Sequence, residues 1–94
     1  TAKPTCAGLT ATVVGTPGPD RLTGTRRRDV IVAGRGNDVV RAGRGRDVVC
    51  GGRGRDRLFG GAGRDRLSGG RGRDRCAGGP GRDRFLRCET RIPR

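Results

Sequence analysis

Eight aspartates stand nine residues apart without a break, at Asp20, Asp29, Asp38, Asp47, Asp56, Asp65, Asp74 and Asp83, and Glu89 is the one acidic residue outside the series. So strict a period excludes most folds. It marks a stacked repeat, in which each unit buries its apolar side only against its neighbours. Cut in this register, the chain gives repeats 15–23, 24–32, 33–41, 42–50, 51–59, 60–68, 69–77 and 78–86 with no insertion.

Each repeat divides in two. Its first six positions are rich in glycine, as in Gly51-Gly52-Arg53-Gly54-Arg55-Asp56, and glycine accepts positive φ without steric cost. Its last three predict a short strand whose middle residue is apolar: Leu22, Ile31, Val40, Val49, Leu58, Leu67, Cys76 and Phe85, with Val13 extending the series upstream. Strand alternation turns that residue inward and its neighbours outward, which is where Arg21, Arg57, Arg66, Arg75 and Arg84 fall. A three-residue strand pairs usefully only when stacked. Two repeats therefore make one coil of 18 residues, with strands about 4.8 Å apart on two opposite faces. The expected fold is an all-β parallel solenoid: residues 1–14 form an N-terminal cap with a first strand, 15–86 the eight repeats, and 87–94 a C-terminal cap.

Composition agrees with a chain held together by something other than a large core. Only 30% of its 94 residues are hydrophobic, Phe59 and Phe85 are the only aromatics, and the net charge is +13. Those values alone describe a disordered chain, and it is the periodicity that argues for order.

The repeats resemble the calcium-binding RTX nonapeptide, Gly-Gly-x-Gly-x-Asp-x-(aliphatic)-x, over roughly three quarters of the chain. The four repeats from Gly51 to Leu86 keep all three glycines and the aspartate. The resemblance implies a right-handed parallel β-roll of extracellular bacterial origin. It also implies several Ca²⁺ ions between successive coils, held by turn carbonyls and Asp carboxylates. Carried onto this chain, the implied ligands are the eight aspartates above with Gly34, Gly36, Gly43, Gly45, Gly52, Gly54, Gly61, Gly63, Gly70 and Gly72. The chain departs from the pattern in two ways. Position five, commonly Asn or Asp in the family, is Arg28, Arg46, Arg55, Arg64, Arg73 and Arg82, with Asn37 alone keeping the usual type. Thr16 and Thr25 replace the second glycine of the first two repeats, and Arg27 the third. The implied sites are therefore clearest between Gly34 and Asp83.

Charge gives an independent reason for a cation. Stacking sets Asp20, Asp38, Asp56 and Asp74 in one column and Asp29, Asp47, Asp65 and Asp83 in the other. Two carboxylates about 5 Å apart repel by roughly 3 kcal/mol at an effective dielectric near 20. Ca²⁺ answers this with six to eight hard oxygen ligands at roughly 2.3–2.6 Å. A competing reading neutralises the columns with the neighbouring arginines and needs no metal.

Four cysteines without histidine argue against zinc and for two disulfides in an oxidising compartment. A Cys76–Cys88 bond would pin the C-terminal end. Cys50 stands at an outward position beside Val14, Val30, Val32 and Val48, an apolar patch that calls for a cover. Residues 4–9, folded back and tied by a Cys6–Cys50 bond, would supply it. Unpaired or differently paired cysteines are the alternative.

Other function classes find little material. Arginine-glycine richness without aromatic platforms does not make a dedicated nucleic-acid binder, no Gly-x-Gly-x-x-Gly is present, and no apolar run spans a membrane. With no His, no Tyr and a single Ser, Ser68, the chain is not expected to be an enzyme. Its start, Thr1-Ala2-Lys3-Pro4, reads as already processed, and the chain as secreted. The expectation is a structural protein whose cationic faces associate with anionic cell-surface or matrix polymers. Its open sheet ends also permit end-to-end stacking into a homo-oligomer or filament.

Overall fold

Repeats that contribute three strand residues each, alternately to two faces, build two sheets that grow together along one axis. The computed structural model describes residues 4–81, 83–88 and 90–92, and among them it is all β with no helix. The strands are β1 (Thr5–Cys6), β2 (Leu9–Thr10), β3 (Val13–Val14), β4 (Arg21–Thr23), β5 (Val30–Val32), β6 (Val39–Arg41), β7 (Val48–Cys50), β8 (Arg57–Phe59), β9 (Arg66–Ser68), β10 (Arg75–Ala77), β11 (Arg84–Leu86) and β12 (Thr90–Ile92). From β4 to β11 they fall on the last three positions of each repeat. One sheet has the order β11-β9-β7-β5-β3 and the other β12-β10-β8-β6-β4. Every pairing within these two sheets is parallel. In the odd-strand sheet Val13, Ile31, Val49, Leu67 and Phe85 stand in one row, each 18 residues after the last. The chain is thus a β-solenoid of about four coils.

The inward row forms the core. Ile31, Val40, Val49, Leu58, Leu67 and Cys76 are buried, while Val13, Leu22 and Phe85 pack half-buried at the ends of the stack. Ala33 and Ala42, at the first turn position, join them. The backbone ladder does not stop at the strands. Gly51 N–H donates to the Ser68 carbonyl (2.8 Å) and Arg57 N–H to the Asp38 carbonyl (2.8 Å), so both corners of each coil are tied to the next.

The flanking segments do more than cap. β1 and β2 form an antiparallel hairpin, turned by Ala7 and Gly8 at φ 53° and 79°. Cys6 packs on Val30 and Val48, with Val32 and Cys50 alongside, and bonds Cys50 across a Cα–Cα distance of 5.9 Å. The cover is incomplete, because Val14 remains 49% exposed. At the other end Cys88 bonds Cys76 (Cα–Cα 6.0 Å) and closes the core. Beyond it the segment expected only as a cap adds β12 to the even-strand sheet, pairing Thr90, Arg91 and Ile92 with Arg75, Cys76 and Ala77. No helix among the described residues is long and apolar enough to cross a membrane.

Candidate metal centre

An Asp at position six sits where the turn enters the strand, and its side chain turns in rather than out. Asp29, Asp38, Asp47, Asp56, Asp65 and Asp74 are buried at 4% exposure or less. Burying a carboxylate is costly unless its oxygens find partners. One oxygen does: from Asp38 onward, Oδ1 of each Asp accepts the backbone N–H of the Asp one coil earlier. Asp38 takes it from Asp20 (2.8 Å), Asp47 from Asp29 (2.8 Å), Asp56 from Asp38 (2.9 Å), Asp65 from Asp47 (3.0 Å), Asp74 from Asp56 (2.8 Å) and Asp83 from Asp65 (2.9 Å). The second oxygen is different. Oδ2 of Asp38, Asp47, Asp56, Asp65 and Asp83 is buried without a hydrogen-bond partner among the described residues.

The arginines do not fill that role. Arg46, Arg55, Arg64, Arg57 and Arg66 are exposed, and none pairs with Asp38, Asp47, Asp56 or Asp65 among the described residues. Arg46, Arg64 and Arg66 line one cleft with Asp47 and Asp65, yet the carboxylates take no hydrogen bond from them. Burial consequently holds the carboxyls of Asp47 and Asp65 above the usual range, with the other carboxylates of the column adding to the effect: Asp47 stands at about 6 and Asp65 at about 8. Asp38 and Asp56 move in the same direction for the same reasons.

The turn backbones of successive coils approach one another closely. All ten glycines expected as ligands adopt φ between 77° and 111°, the left-handed region that favours glycine. Their coils lie so close that a Cβ on Gly52 would overlap the carbonyl oxygen of Gly34, and one on Gly54 that of Gly36. A Cβ on Gly51 would stand 2.7 Å from Asp56 Oδ2 and 3.0 Å from the Gly69 carbonyl oxygen. A carboxylate and a carbonyl from successive coils thus converge on a space that only a missing side chain leaves open. No three carboxylate or thiolate groups gather at one point among the described residues, so a cation here would depend on carbonyls as much as on charge. That donor set, hard oxygen from flexible turns with an uncompensated carboxylate, fits Ca²⁺.

The first coil is built otherwise. Thr16 N–H donates to Asp20 Oδ2 (2.7 Å) and its hydroxyl to Oδ1 (2.8 Å). Thr25 does the same for Asp29, at 2.6 and 3.1 Å. Oδ2 of Asp20 and Asp29 therefore has a protein partner, where Oδ2 of Asp38, Asp47, Asp56, Asp65 and Asp83 has none among the described residues. The sequence marked these positions only as departures from the repeat. It also left out the first-position glycines, Gly51, Gly60, Gly69 and Gly78, although that position carries nothing larger than Ala in any of the eight repeats.

A parallel solenoid with aspartates buried in glycine turns defines a class, the calcium-binding β-rolls. The model of the RTX calcium-binding nonapeptide repeat (four copies) matches residues 14–49 and 51–85, and the chain belongs to that family. Neither the curated proteins nor the solved structures contain a match to it. Repeat and fold together support a calcium-binding, structural role.

Proposed function

We propose that this chain is a secreted β-roll that Ca²⁺ holds together, acting as a structural element whose arginine-clad surface associates with anionic polymers outside the cell. The observation that carries the metal reading is the unsatisfied Oδ2 of Asp38, Asp47, Asp56, Asp65 and Asp83, buried without a hydrogen-bond partner among the described residues, with that of Asp56 beside the Gly69 carbonyl of the next coil. When bound, the ion supplies the positive charge that each column lacks. Asp38 and Asp56 would serve one column and Asp47, Asp65 and Asp83 the other, with the position-two and position-four carbonyls completing the shell. Each site filled at a hundredfold excess over its Kd adds about 2.7 kcal/mol to stability. Circular dichroism and thermal melting at pH 8, with calcium and with EGTA, test the reading. Loss of the β signal or a large fall in Tm is expected on chelation, and an unchanged melt after exhaustive chelation would overturn it.

The polymer reading rests on arginine placement. Arg28, Arg46 and Arg64 follow one another coil by coil, with Arg66 and Arg84 along the same cleft, and they outnumber the three carboxylates that also line it, Asp47, Asp65 and Asp83. Such a row attracts a linear polyanion through charge alone. Retention on a sulfated or uronic-acid polysaccharide column should fall steeply as salt rises through the range where the Debye length is about 10 Å. Salt-independent retention would remove this half of the proposal.

A further inference from the structure

We propose that copies of this chain stack head to tail, with β11 of one copy pairing against β3 of the next and β12 against β4. This goes beyond the calcium and polymer readings and depends on different residues. From β3 to β12 the strands alternate between the two sheets, and the alternation stays unbroken if β12 of one copy is followed by β3 of another. Each sheet ends in an edge strand whose outer side pairs with nothing among the described residues: β3 and β4 at the N-terminal end, β11 and β12 at the C-terminal end.

The register carries the argument further. The outward row of the odd-strand sheet runs Val14, Val32, Cys50, Ser68, Leu86. One more step of the same stacking sets Leu86 beside Val14 of the next copy, and sets half-buried Phe85 over half-buried Val13. Leu86 is 63% exposed and Val14 49%, the two largest values among the large apolar side chains described. They are left bare at opposite ends of one row, where a second copy would cover both, and the N-terminal hairpin covers neither. The contact is heterologous and does not close on itself, so it propagates as a filament. A charge of +13 per chain opposes it, and salt screens that repulsion. Assembly should therefore strengthen with salt, the opposite of polyanion binding, so the two readings fail separately.

The test is sedimentation velocity with negative-stain electron microscopy on the full chain in calcium-containing buffer, at low and high salt. The wild type should form end-to-end oligomers that grow with salt. Leu86→Arg and Val14→Arg should each lower the association constant at least about tenfold with an unchanged circular dichroism spectrum. Phe59→Ser, which removes an exposed apolar residue from the flank, should leave association intact. A wild type that stays monomeric throughout, end variants that associate as the wild type does, or loss of association on Phe59→Ser would each overturn the proposal.

Discussion

At the level of single residues, the structure separates positions that look identical in the repeat. Gly18 and Gly54 both occupy position four, yet Gly54 has φ 111° with the Gly36 carbonyl against it, whereas a Cβ on Gly18 would meet only Thr16 Oγ1 at 3.8 Å. Gly54→Ala should cost at least about 1–2 kcal/mol in chemical denaturation, and Gly18→Ala close to nothing. The aspartates set a pH dependence of unusual sign. Asp47 and Asp65 hold their protons up to about 6 and 8, against 3.8 ordinarily. The metal-free folded chain therefore binds protons that the unfolded chain has shed. This contribution is full below about pH 4 and is lost as pH rises through about 6 and then 8. Without calcium, Tm should fall between pH 4 and 8. Calcium should restore it at the alkaline end, because the ion binds the ionised carboxylates. A metal-free Tm that rises over this range would show that the buried aspartates are ionised by some other partner. Which carboxylate oxygen is satisfied was not legible in the sequence, since a nine-residue period puts aspartates in a column but says nothing about which atom meets the neighbouring N–H.

Among the elements, legibility tracked the source of the order. The eight strands β4 to β11 could be read residue for residue, because one apolar position in nine admits one inward-facing register. β12 could not, because residues 87–94 lack the nonapeptide signature and parallel pairing needs only backbone groups. The hairpin was half legible: the valine cluster and Cys50 announced a cover, but the 49% exposure of Val14 shows how little of the first rung it reaches. Since each strand offers the core a single side chain, truncation is felt strongly. Leu58→Ala, at a fully buried position between two coils, should cost about 2–5 kcal/mol, measured by denaturation of the calcium-loaded chain. The equivalent change at half-buried Leu22 on the open end should cost clearly less.

For the molecule as a whole, coils that touch only their neighbours make stability a sum along the axis, and the two disulfides divide that axis unevenly. Cys6 is bonded to a cysteine 44 positions later and Cys76 to one 12 positions later. A stretching force applied at the two termini would bypass both loops and pass through sulfur instead of hydrogen bonds. Between Cys6 and Cys88, only the roughly 25 residues between Cys50 and Cys76 would then lengthen, releasing on the order of 90 Å of contour at about 3.5 Å per residue. A reducing agent would free nearly the entire polypeptide, on the order of 300 Å, a difference that single-molecule pulling resolves directly. Oxidised, the solenoid behaves as a short extensible link between two inextensible ends.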